Sequence, residues 1–142
     1  MKSNHQHRIR ALLFDLDDTL IDTSACVTPV KLEKALSRMV QEGMEVEDFT
    51  PALHMLLQID QLSHSARSAL EEFIEINGFD VRFLSIGLHE VYDTFSEDLP
   101  VFPVEDAVEV LSKLSYEHKM AIVSVGNRDQ QLWKLKKAGI KK

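Results

Sequence analysis

Two short apolar runs frame this chain, and helical stripes fill the space between them. Ala11-Leu12-Leu13-Phe14 is continuous rather than alternating, and so is Met120-Ala121-Ile122-Val123, which runs on to Val125. Short continuous runs suit strands buried on both faces, as in a parallel sheet covered by helices. Between them, Thr28-Pro29 has the form of an N-cap followed by proline, with Leu32, Ala35, Leu36, Met39 and Val40 on one face and Gly43 as a stop. Thr50-Pro51 repeats the start signal ahead of Leu53, Leu56 and Leu57. Ala66, Leu70, Phe73 and Ile74 mark a third helix closed by Gly78, and Val81, Leu84, Leu88, Val91 and Phe95 a fourth. Four such stripes cannot each stay in water, and together they predict a small helical bundle.

Leu99-Pro100-Val101-Phe102-Pro103 breaks the periodicity and marks a boundary. Val104, Ala107, Val108, Leu111 and Leu114 then predict a helix leading into the second strand. A last helix follows, with Asn127 or Asp129 as its cap, Leu132, Leu135 and Ala138 on one face, and Gly139 as its stop. The layout is strand, helical insert, helix, strand, helix, an α/β class in which the strand-helix-strand part implies a right-handed parallel crossover.

Composition narrows the class of function. Of 142 residues, 44% are hydrophobic and 27% charged, with only five Gly and four Pro, which excludes a disordered or low-complexity chain. No apolar run approaches the length of a membrane span, and the polar start, Met1 to Arg10, is not a signal peptide. The single Cys26 excludes an internal disulfide and fits a reducing, cytoplasmic setting. A net charge of −7 argues against a nucleic-acid or anionic-membrane binder. Residues 42–109 hold sixteen acids against Arg67 and Arg82, whereas residues 128–142 carry Arg128 and five lysines against Asp129. The simplest reading is a solvated acidic middle and a helix with basic residues near its favourable end. The six histidines show no metal-ligand spacing, and they and Cys26 read as structural or surface residues.

The chemistry concentrates where the first strand ends, in Asp15-Leu16-Asp17-Asp18-Thr19-Leu20. Ligands of open parallel sheets sit beyond the carboxyl ends of the strands. Asp15 and Asp17 are two apart and can face one small site. Two carboxylates so close are costly to ionise together unless a cation or a proton lies between them, and hard oxygen donors suit Mg²⁺. The competing reading is that these acids merely cap the next helix. A D-x-D-x-T pattern should arise by chance in roughly 2% of chains of this length, and the preceding apolar strand makes it rarer.

With Phe14-Asp15-Leu16-Asp17-Asp18-Thr19-Leu20 as a first motif and Ala121-Ile122-Val123-Ser124 as a second, the chain resembles the haloacid dehalogenase (HAD) superfamily from about Arg8 to Ile140. The resemblance implies a Rossmann-like core of parallel strands in residues 1–22 and 100–142, and a helical C1-type cap in residues 23–99. It implies Asp15 as a nucleophile forming an aspartyl-phosphate. Asp17 would be general acid to the leaving group and then general base for water. Thr19 would support the loop on the substrate-binding side. Ser124 would donate to a phosphoryl oxygen, with the N–H groups of Val125 and Gly126 nearby. Mg²⁺ would bind the Asp15 carboxylate and the Asp17 main-chain carbonyl. An acid at Asp17 favours phosphate esters over organohalides and phosphonates, so the implied activity is a Mg²⁺-dependent phosphatase of small phosphorylated metabolites.

The family pattern continues with a lysine and an acidic pair after a third strand, and this sequence ends at Ile140-Lys141-Lys142. The C-terminal lysines read as the exposed face of the last helix rather than as the catalytic lysine. Without the neighbouring strand, Ile9 to Phe14 would have an unpaired edge and an uncovered apolar flank. Three explanations stand side by side: an N-terminal piece of a longer enzyme, a sheet completed by another chain in a homodimer or swap, or a catalytically silent binding or regulatory module. A response-regulator-type phosphoacceptor fits poorly, because that fold needs its aspartate on another strand about forty residues on, within what here reads as helix.

Overall fold

The computed structural model describes residues 9–140. Along the chain come β1 (Ala11–Phe14), a π-helical turn (Thr23–Val27), α1 (Thr28–Gln41), α2 (Phe49–Leu62), α3 (Ala66–Asn77), α4 (Arg82–Tyr92), α5 (Ala107–Ser115), β2 (Lys119–Ile122) and α6 (Arg128–Lys137). The class is α/β, with a helical segment inserted after the first strand. The chain divides into two compact units: the described residues up to Asp22 and from Val101 onward make one, and Thr23–Pro100 the other.

In the first unit β1 and β2 pair in parallel, from Ala11 opposite Lys119 to Phe14 opposite Ile122. The Val123 N–H donates to the Phe14 carbonyl at 2.8 Å, which carries the pairing to the two strand ends. Beyond β1 the chain turns tightly. The Leu16 carbonyl accepts from the N–H groups of Thr19, Leu20 and Ile21 at 3.3, 2.9 and 3.1 Å. The side chains of Leu16, Leu20 and Ile21 are buried. The turn passes through Asp18 at φ +59°, a left-handed conformation that aspartate tolerates better than most residues. The chain then leaves and returns side by side: Asp22 N–H donates to Phe102 O at 3.1 Å, and Val104 N–H to Leu20 O at 3.0 Å.

The expectation of strands buried on both faces is corrected. Leu12, Phe14, Met120 and Ile122 are half-buried, whereas Leu13 is 71% exposed and Val123 61% exposed. Val125 is 95% exposed. Side chains alternate across a pleated sheet, and among the described residues only one face of this two-stranded sheet is covered.

The helical unit has the larger core. Leu32, Leu36 and Met39 of α1 meet Leu56 of α2, Leu70 and Phe73 of α3, and Phe83 and Val91 of α4 in one buried cluster. Gly87 lets α4 come close, because a Cβ there would lie 3.2 Å from both Leu70 Cδ1 and Met39 Sδ. The α4 stripe holds in its middle, with Val91 buried and Leu84 and Leu88 packed against the core, but its ends Val81 and Phe95 lie outside the helix and are exposed, and Phe83 and Gly87 are buried as well. Two start signals also shift. Thr28 caps nothing, because α1 continues out of the π-helical turn with Val27 at its head. α2 is capped by Asp48, whose carboxylate accepts from Thr50 N–H at 3.1 Å. Carboxylates outrank threonine at such positions. Gly78 closes α3 in the left-handed conformation, as its position after the stripe predicts.

The buried Lys31 reaches from α1 to the end of α4, where its ammonium donates to the carbonyls of Val91 at 2.6 Å and Thr94 at 3.0 Å. Last-turn carbonyls lack helical partners, and a cation there also meets the negative end of the helix dipole. Replacing Lys31 with Met keeps the stem and strands those carbonyls. Urea denaturation of Lys31→Met should show a loss of about 1–3 kcal/mol.

Asp60 sits in the last turn of α2, where a negative charge is unfavourable. Burial also raises its carboxyl above the ordinary 3.8. The native state therefore holds that proton more tightly than the unfolded chain, and stability falls as pH rises from 3.8 through the native value. Asp60→Asn should melt higher than the parent at neutral pH, with the difference vanishing below about pH 3.8, as followed by circular dichroism.

Candidate functional site

The site is built at the carboxyl ends of β1 and β2. Because Leu16 is buried beneath the turn, its neighbours Asp15 and Asp17 emerge on the other side, with Asp15 exposed and Asp17 half-buried. Thr19, one turn on, directs its hydroxyl to Asp15 Oδ2 at 3.4 Å, a long contact. Ser124 stands just past β2 and is half-buried. Gly126 has φ +129°, a backbone state that side chains rarely adopt, and Val125 and Gly126 are both exposed.

Two residues of α6 bring these parts together, and neither was singled out in the sequence. The Gln131 amide nitrogen lies 2.9 Å from Asp17 Oδ2, 2.6 Å from Ser124 Oγ and 3.2 Å from the Val125 carbonyl. The Lys134 ammonium lies 2.7 Å from Asp17 Oδ1. The reading of the C-terminal lysines as one exposed face is therefore corrected for Lys134, whose side chain is only 13% exposed. Lys136 and Lys137 do lie on the exposed face, and Lys141 and Lys142 lie outside the described residues.

α6 is aimed by its first turn. Asn127, rather than Asp129, is its cap: the side-chain carbonyl accepts from Asp129 N–H at 3.0 Å and Gln130 N–H at 3.2 Å. Gln131 and Lys134 are three apart and share a helix face. That polar pair one turn past a strand-end serine was visible in the sequence. What it could not convey was that the face turns toward Asp17, more than a hundred residues upstream.

Asp15, Asp17 and Ser124 thus share one end of the sheet with Thr19, Gln131 and Lys134. Among the described residues no three His, Cys, Asp or Glu side chains gather as a metal site. The Asp17 carboxylate is engaged by Lys134 and Gln131, so it faces an ammonium and an amide. The exposed Asp15 carboxylate is an oxygen donor of the kind a hard, largely hydrated cation such as magnesium takes. Among the described residues no helix is long and apolar enough to cross a membrane.

Comparison with known proteins places the chain. Residues 9–142 match the family model of haloacid dehalogenase-like hydrolases. A stretch of 52 residues is 44% identical to glyceraldehyde 3-phosphate phosphatase of Pyrococcus furiosus, covering 37% of this chain and 21% of that protein. The magnesium-bound HAD-hydrolase YfnB of Bacillus subtilis is similar in fold at 16% identity, with a TM-score of 0.54 over 94% of this chain and 61% of that one. L-2-haloacid dehalogenase of Xanthobacter autotrophicus aligns at 21% identity with a TM-score of 0.48, over 94% and 54% of the two chains. This chain therefore spans little more than half the length of the solved structures it resembles. With its aspartates at the tip of β1 and a family match from Ile9 to the last residue, the chain belongs to the haloacid dehalogenase-like hydrolases.

Proposed function

We propose that this chain carries the nucleophile half of a phosphatase acting on small phosphorylated metabolites in the cytoplasm. The observation that carries the reading is the placement of Asp15 and Asp17 on one side of the β1 turn, with Ser124 tied to Asp17 through Gln131. In the first step an Asp15 carboxylate oxygen attacks phosphorus in line. The ester P–O bond breaks, and the departing oxygen takes a proton from Asp17, which enters this step in its protonated form. In the second step Asp17 takes a proton from water as that water attacks the aspartyl-phosphate. Inorganic phosphate leaves and the Asp15 carboxylate is regenerated. Ser124 and the N–H groups of Val125 and Gly126 are the donors for the phosphoryl oxygens.

Lys134 supplies positive charge beside Asp17 at a site that must receive an anionic substrate. A magnesium ion held by Asp15 and the Asp17 carbonyl would add Lewis-acid stabilisation of the phosphoryl charge. The 44%-identical stretch in a glyceraldehyde 3-phosphate phosphatase supports a small phosphate ester as the substrate class. In this reading Thr23–Pro100 is the cap that selects among such esters.

Hydrolysis of an aryl phosphate by the full-length protein tests the proposal. Asp15→Asn should lower turnover by about 10⁴-fold or more while leaving the melting temperature in place, because the amide oxygen is a poor nucleophile. Activity that survives this change removes Asp15 as nucleophile. A protein that binds phosphate esters and never turns them over is instead a silent binding module. Lys134→Met should lower kcat/KM by about 10- to 100-fold, in the range of losing one charged donor. Chelation should abolish turnover, and added Mg²⁺ should restore it.

A further inference from the structure

On the phosphatase reading above, we infer that Gln131 is a positioning residue that acts through Ser124: its amide nitrogen occupies a lone pair of the Ser124 hydroxyl, so that the hydroxyl proton is left for a phosphoryl oxygen. Three groups surround that nitrogen: Asp17 Oδ2 at 2.9 Å, Ser124 Oγ at 2.6 Å and the Val125 carbonyl at 3.2 Å. A carboxylate and a carbonyl only accept. The Gln131 atom facing them is therefore the donor nitrogen, and the flipped amide would set oxygen against oxygen. An amide nitrogen has no lone pair to offer, so Ser124 Oγ is the acceptor in the shortest of the three contacts.

The consequence lies in the single proton of a serine hydroxyl. Asp17 and Ser124 converge on the same nitrogen. With Gln131 removed, the carboxylate becomes the strongest acceptor near the hydroxyl. A Ser124–Asp17 hydrogen bond would then spend the serine proton and one carboxylate oxygen together. Gln131 prevents that pairing while holding both groups in place. Its own position is fixed. Its N–H donates to Asn127 O at 3.0 Å, and its side chain crosses Gly126, where a Cβ would stand 3.8 Å from Cδ and Nε2.

A double-mutant cycle in the full-length protein tests this, with inorganic phosphate as the probe. Binding is measured by calorimetry, and aryl phosphate hydrolysis and thermal melting are followed alongside. Gln131→Leu and Ser124→Ala should each weaken phosphate binding by about three- to tenfold, the effect of one lost hydrogen bond. The double variant should be within about twofold of Ser124→Ala alone, because the two residues act in series. Additive losses, or parental phosphate affinity in Gln131→Leu, overturn the inference, as does a parent protein that binds no phosphate. Should Gln131→Leu not fold, Gln131→Glu, of the same length, decides by the same cycle. Coupled phosphate binding without hydrolysis in any member, the parent included, supports the role of Gln131 and overturns the proposed reaction.

Discussion

One main-chain oxygen organises the first unit. The Leu16 carbonyl gathers the N–H groups of Thr19, Leu20 and Ile21, so the chain cannot continue as a strand past Phe14 and must fold back over its own end. Buried backbone groups have to be paired, and this turn pairs several on one acceptor. The side chains of Leu16, Leu20 and Ile21 fill the space beneath it. With Leu16 buried, Asp15 on one side of it is exposed and Asp17 on the other is half-buried. The position of the candidate site is thus a packing result before it is a chemical one.

Charge is balanced in the same way, by elements far apart in sequence. Two carboxylates at one strand end repel each other and any phosphate. Lys134 and Gln131 of α6 meet the Asp17 side of that problem with one ammonium and one amide. The Asn127 cap sets where α6 begins, and so which of its residues reach Asp17. A helix cap here has a consequence some distance from the helix end it satisfies.

How much of this was legible depended on whether the determining contact was local. The β1 run, the paired acids, the Gly78 stop and an Asn127 cap are local features, and reading neighbours along the chain finds them. Thr28 and Thr50 misled because stronger local partners stood just upstream, the π-helical turn ending at Val27 and the Asp48 carboxylate. In α4, five apolar residues at helical spacing suggested a stripe from Val81 to Phe95. Of these, Val91 is buried and Leu84 and Leu88 pack against the core, whereas Phe83 and Gly87 join the buried face beside them, the glycine leaving room for Leu70 and Met39. A pattern of apolar residues cannot report a missing side chain as a contact. The apolar β-runs indicated burial on two sides, whereas among the described residues Leu13 of β1 and Val123 just past β2 lie exposed. Lys134 was harder still: its meaning depends on Asp17, and nothing within α6 announces a partner so far away.

The side-by-side pairing of Asp22 with Phe102 has a bearing on how the chain is born. The helical unit from Thr23 to Pro100 is closed off by contacts within itself, and it can condense on the ribosome as soon as its last helix clears the exit tunnel. β1, made before that unit, meets its partner strand only when Lys119–Ile122 follows about a hundred residues later. At an elongation rate of about 5–20 residues per second, that leaves the aspartate-bearing tip unassembled for several seconds of every synthesis. The earlier-made strand is therefore completed later than the helical unit that follows it.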